Sequence, residues 1–107
     1  MKKLRFGSLE LAVLNSVARL GEEAYGLGVR RDVSELLAHD YSVGAIYTTL
    51  SRLEEQGLLR SSTTDPLPVR GGRSRRQFRL TAAGREALRE AERLAVRMWA
   101  LDEPGRA

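Results

Sequence analysis

The sequence predicts a mainly α fold with one small β-hairpin, in the order helix, helix, helix, hairpin, helix. Three observations predict it. Three apolar segments at helical spacing are each closed by a turn signal. Two short segments then flank a loop rich in proline and glycine, and the second alternates apolar with polar residues. A last segment carries apolar residues in 4-3-4-3 steps, the spacing of a helix that packs against another helix. At 107 residues the chain is one domain with one modest core.

Ser8 opens the first helix, and Gly21 ends it. Leu9, Leu11, Ala12, Val13, Leu14, Val17 and Leu20 make it apolar on more than one side. One side faces the domain's own core. The other needs a second partner, and another subunit is the expected one, with Leu9 and Val13 at the contact. Tyr25 and Gly26 start the second helix, in which Val29, Val33, Leu36 and Leu37 form the apolar stripe. It ends in Ala38, His39 and Asp40.

Ser42 is a good N-cap for the third helix, which spans 42–56. Val43, Ile46, Leu50 and Leu53 fall on its inner stripe. The other side holds Gly44, Ala45, Thr48, Thr49, Ser51 and Arg52, which are small or hydrogen-bonding residues instead of the Glu/Lys pairs of a solvated helix. Gly57 supplies the stop. The segment 58–64 reads as a strand, 65–73 as a loop, and 75–81 as the returning strand, where Phe78 and Leu80 alternate with Gln77 and Arg79. Thr81 caps the last helix, which runs to about Leu101. Its seam is Ala87, Ala91, Leu94, Met98 and Leu101, widened by Leu88, Ala95 and Trp99.

This order is that of a winged helix-turn-helix: three helices, a hairpin called the wing, and here an added C-terminal dimerisation helix. Residues 1–81 are expected to form the DNA-binding part and 82–107 the dimerisation helix and tail.

Charge sharpens the reading. The net charge is +4, yet between Arg60 and Arg85 seven arginines stand against one acid, Asp65, and the remainder of the chain is slightly acidic. A single basic patch is the electrostatic footprint of a polyanion-binding protein. Five of those arginines, Arg70, Arg73, Arg75, Arg76 and Arg79, fall within ten residues that hold no acid. They would repel one another without a polyanion, so phosphate or minor-groove contact is favoured over a solvated loop.

The absences narrow the classes. No cysteine means no disulfide, thiolate metal site or cysteine nucleophile. The single histidine, His39, has no neighbouring ligand or triad arrangement, so neither metal, cofactor nor enzyme chemistry is expected. No apolar run of about 18 residues is present, so no membrane contact is expected. The basic start, Met1 to Arg5, is not followed by an apolar signal core, which suits a cytoplasmic protein.

Motifs then point to a family. Gly44, Tyr47, Leu50, Arg52, Leu53, Glu54 and Gly57 resemble the recognition-helix pattern of PadR-type transcriptional regulators. Tyr25-Gly26 and the return strand ending in Arg79, Leu80 and Thr81 resemble the same family, so the likeness covers roughly residues 8 to 100. Many relatives carry proline where this chain has Thr48 and an aromatic where it has Gln77. The resemblance implies a cytoplasmic homodimer that represses by binding a roughly palindromic operator. It also implies that some members release DNA when a ligand arrives.

The candidate DNA-binding residues are therefore Ser42, Gly44, Ala45, Tyr47, Thr48, Thr49 and Arg52 on the helix and Arg70, Arg73, Arg75 and Arg76 on the wing. Thr, Ser and Arg suit base edges or phosphates in the major groove. Tyr47 is equally a phosphate contact through its hydroxyl or half-buried packing. The candidate dimer contacts are Leu9, Val13, Leu88, Ala91, Leu94, Ala95, Met98, Trp99 and Leu101. Met98 and Trp99 read foremost as seam, with a small planar aromatic effector stacked between paired helices as the alternative. A protein-binding winged helix and an RNA-binding one are the rival classes. The arginine-dense wing argues against the first, and the lack of exposed wing aromatics against the second.

Overall fold

The structure, a computed structural model, describes residues 6–63 and 75–101, with the backbone alone for Leu101. It has a mainly helical winged-helix architecture with a C-terminal helix. The elements are α1 (Ser8–Leu20), a 3-10 turn (Gly21–Glu23), α2 (Gly26–Leu36), α3 (Val43–Glu55), β1 (Leu59–Thr63), β2 (Arg76–Leu80) and α4 (Ala82–Leu101).

Three of the four helices start where a side-chain oxygen accepts a backbone N–H, and α2 starts without a side-chain cap. The Gly7 N–H donates to Glu10 Oε1 at 2.5 Å ahead of α1. Ser42 Oγ accepts the Ala45 N–H at 3.0 Å ahead of α3. Thr81 Oγ1 accepts the Gly84 N–H at 3.0 Å ahead of α4, and donates its own proton to the Gly57 carbonyl at 2.6 Å. That hydroxyl therefore joins the turn after α3 to the first turn of α4.

The core draws on every α-helix and strand before α4. Val13, Leu14 and Val17 of α1, Val29 and Val33 of α2, and Ile46, Leu50 and Leu53 of α3 are buried, with Leu59 and Phe78 from the hairpin. The strands pair antiparallel, with Leu59 opposite Leu80 and Ser61 opposite Phe78. Phe78 is fully enclosed, as its alternation predicts. A third backbone segment joins this sheet. The Phe78 N–H donates to the Ala24 carbonyl at 2.9 Å, Tyr25 bridges Gln77, and Gln77 Nε2 donates to the Glu22 carbonyl at 2.8 Å. The hairpin is thus fastened to the connection between α1 and α2, a pairing the sequence did not announce.

Three sequence assignments need correction. Val13 was expected at a subunit contact, but it is fully buried in the chain's own core and has no surface to offer. Leu36 was placed on the inner stripe of α2. It is 56% exposed, because Leu37 lies one turn beyond Val33 and takes the inner position. Val43 is 44% exposed, since it is the first residue of α3, ahead of the turn that meets the core.

α4 leans on the domain through its first turns only. Ala87 is buried and Leu88 packs against the core, whereas Leu94, Met98 and Trp99 are exposed. Gly84 allows the close approach: a Cβ there would collide with the Leu58 carbonyl oxygen. The α1–α2 pair also carries a bidentate ion pair, Arg19 to Asp32, at 2.6 and 3.2 Å. Partial burial pushes the Asp32 carboxyl up, but the neighbouring Arg19 and Ser16 side chains together outweigh it and hold the group below its ordinary value.

Two measurements check this packing. Gly84→Ala should cost about 1–3 kcal/mol in chemical denaturation, because the added methyl meets backbone that cannot move aside. Asp32→Asn should cost about 1 kcal/mol or less at neutral pH, as the pair is partly exposed. Since the folded carboxyl is the more acidic, that difference should persist above pH 4 and vanish as pH falls through the folded value. A cost for Asp32→Asn that stays constant down to pH 2 would contradict the ion-pair account.

Candidate nucleic-acid interface

α3 presents Thr48, Ser51 and Arg52 outward, together with Glu55, along a shallow concavity floored by Tyr47. Gly44 is exposed in the first turn, with open space where a side chain would stand. Bare backbone there admits a close ligand. Ser42 is exposed but already spends its Oγ on the cap, and Ala45 is half-buried. Arg52 lies 4.0 Å from the Glu10 carboxylate and remains 56% exposed, so it is free to swing outward.

Two assigned helix residues are turned elsewhere. Thr49 is buried, and its Oγ1 donates to the Ala45 carbonyl at 2.9 Å, so it completes the helix and leaves no donor outside. Tyr47 is half-buried with its hydroxyl lying over Gly26, where any Cβ would overlap it. The Tyr47 ring packs over Gly26 and also lines the concavity beside Thr48. This packing explains why Tyr25-Gly26 and Gly44-x-x-Tyr47 go together: the glycine of one motif makes room for the ring of the other.

On the hairpin, the Arg75 guanidinium lies 4.1 Å from the Tyr25 ring centroid, a cation–π contact at the base of the wing. Arg76 donates to Glu54 Oε1 at 3.0 Å and to Ser61 Oγ at 2.8 Å. The Glu54 carboxylate also accepts the Ser61 N–H at 3.2 Å and the Ser61 hydroxyl at 2.9 and 3.1 Å. The last turn of α3 is therefore tied to both strands. Arg76, assigned to DNA contact, is paired with the Glu54 carboxylate in this structure. Arg70 and Arg73 lie outside the described residues. Sequence reasoning placed Glu54 in the family-like motif of α3 but gave it no role at the interface. A further signal is an acid at the end of α3 near a hairpin otherwise short of acids.

At the other end of the molecule, Leu94, Ala95, Met98 and Trp99 are exposed, and Ala91 and Leu88 are half-buried. Leu9 is half-buried against the core. A groove of about 520 Å³ between α1, the end of α2 and α4 is lined by Leu11, Leu36, Leu37, Leu88 and Ala91 among others. Among the described residues no cluster of side chains is arranged to hold a metal ion, and no helix is long and apolar enough to cross a membrane.

Three helices followed by an arginine-bearing hairpin, with a fourth helix beyond, define a winged-helix transcription regulator. The family described as "Transcriptional regulator PadR-like family" matches residues 13–90, and the chain belongs to it. The transcriptional regulator Rv3488 of Mycobacterium tuberculosis is 37% identical over 95 residues, spanning 87% of this chain and 80% of that protein. RosR of H. salinarum superposes with a TM-score of 0.71 at 24% identity, covering 91% of this chain and 80% of the other. A PadR family transcription regulator from Clostridium difficile R20291 gives a TM-score of 0.66 at 21% identity, covering 89% and 97%.

The coupling of the two tyrosine–glycine motifs is testable. Gly26→Ala should destabilise the fold by about 1–3 kcal/mol in the wild-type background. In a Tyr47→Ala background the same change should cost much less, because the obstructing ring is gone. A double-mutant cycle from urea unfolding reads the difference, and strict additivity would refute the contact.

Proposed function

We propose that this chain is a cytoplasmic repressor that binds a roughly palindromic operator as a homodimer, through α3 and the basic hairpin. The observation that carries the reading is the outward face of α3. Gly44, Thr48, Ser51 and Arg52 are exposed there, beside a hairpin held to the same helix by Glu54. On this reading Thr48 and Arg52 meet base edges or phosphates, and Ser42, Gly44 and Ala45 bring the helix N-terminus to the backbone. Arg75, with Arg70 and Arg73, supplies charge to the phosphates. Residues 1–81 then do the binding, and 82–107 pair the subunits.

The dimer reading rests on surface that one chain cannot cover. Leu94, Met98 and Trp99 are at least half exposed, and they run on from the groove edged by Leu88 and Ala91. A second copy of α4 laid along both is the partner whose spacing matches. The two α3 helices should then lie about 34–36 Å apart, one turn of DNA. The 76% exposure of Trp99 also favours a second reading, in which a planar aromatic effector stacks between paired Trp99 rings and sets the affinity for DNA.

Sedimentation at micromolar concentration should give a dimer. Leu94→Asp or Met98→Asp should dissociate it, because each puts an unpaired carboxylate into the apolar contact. Trp99 is the sole tryptophan, so its emission should shift to the red in the same variants. A wild-type monomer would overturn the dimer and with it the palindromic operator.

DNA contact is tested by titrating operator and scrambled duplexes at several salt concentrations. Arg75→Ala should weaken both duplexes together and flatten the log–log salt slope by about 0.9. Thr48→Ala or Arg52→Ala should weaken the operator selectively, by roughly 1–3 kcal/mol where a base contact is lost. Unchanged binding in every variant would replace the DNA reading by a protein-interaction module.

A further inference from the structure

Glu54 stands in an unusual place for an acid. It occupies the last turn of the helix proposed to enter the major groove, beside a hairpin rich in arginine. Its carboxylate collects the Ser61 N–H, the Ser61 hydroxyl and the Arg76 guanidinium. Arg76 is held from two sides, since the same guanidinium nitrogen that meets Glu54 also donates to Ser61 Oγ at 2.8 Å. Neither side chain is fully in water, with side-chain exposures of 46% for Arg76 and 31% for Glu54. Charge-assisted bonds in such a setting are the stronger kind.

Resting on the DNA-binding reading above, we infer that Glu54 is a positioning residue that withholds Arg76 from DNA phosphate. It thereby limits the part of the affinity that is blind to sequence. The pair has no net charge, so it adds nothing to the release of counterions that drives sequence-independent binding. To reach a phosphate, Arg76 would have to leave a carboxylate, and that bare carboxylate would then face the phosphates. Arg76 thereby keeps the hairpin in place. The benefit is specificity in a genome, where competing sites vastly outnumber the operator and each extra phosphate contact strengthens binding to all of them.

The sign of the effect makes the inference testable. Glu54→Gln keeps an oxygen for the Ser61 N–H but removes the charge that holds Arg76. The variant should bind a scrambled duplex several-fold more tightly at low salt, with a log–log slope steeper than wild type by up to about 0.9. A clamp of structural value alone predicts the reverse, a looser hairpin with weaker binding and an unchanged or flatter slope. The double variant E54Q/R76Q should return to the wild-type slope. If Arg76 already meets a phosphate in the wild type, the double variant should instead be flatter by about 0.9. Circular dichroism on each variant confirms that the fold is retained. A steeper slope in Glu54→Gln that is abolished in the double variant supports the inference. A slope that is unchanged or flatter, or a gain that survives loss of Arg76, overturns it while leaving DNA binding intact. A wild-type protein that binds neither duplex overturns the DNA reading itself, and this inference with it.

Discussion

A hairpin of two five-residue strands cannot stand by itself in water, because two strands bury too little to offset the entropy of ordering them. The wing of this protein depends on how it is moored. Phe78 provides the mooring. Its ring is fully enclosed among the helices, and its N–H is bonded to the Ala24 carbonyl. That single residue joins the apolar core, the sheet and the connection between α1 and α2. Around it, Gln77 reaches Glu22 and Tyr25, and Arg76 reaches Glu54. The arginines of the hairpin are presented on a support whose position is set by the same core that sets α3.

Much of this arrangement was readable before the coordinates, and the reasons are physical. The starts of α3 and α4 announced themselves through Ser42 and Thr81, since capping is a local interaction between neighbours in sequence. Phe78 was placed inward by period-2 alternation alone. The readings that failed required knowledge of what packs against what. Val13 and Leu9 look alike in sequence, yet the core encloses the first and leaves the second half-buried. Leu36 and Leu37 are adjacent apolar residues, and only the end of α2 decides which one turns in.

The candidate interface shows the same division. The polar face of α3 was legible because Thr48, Ser51 and Arg52 recur at helical spacing. Thr49 belonged to that list by chemistry but not by angle, and its hydroxyl closes on Ala45. The tie between Glu54 and Arg76 spans 22 residues and depends on the hairpin register that sets Ser61 opposite Phe78. Nothing in local sequence encodes such a meeting. It appears only when the strands are paired.

Thr81 has a mechanical consequence. Its hydroxyl links the Gly57 carbonyl to the Gly84 N–H, and Gly84 itself sits hard against Leu58. This is a hinge pin between α3 and α4 with almost no slack. α4 has 20 residues, so it is a rod about 30 Å long. Ten degrees of play at its root would carry the tip sideways by about 5 Å, a large error against a 34–36 Å helical repeat. In the proposed dimer, joined along the outer turns of this rod, the distance between the two α3 helices would depend on this joint and on the packing of Ala87 and Leu88 beside it. A push on the tip of α4 would then be geared to the span between the proposed half-sites.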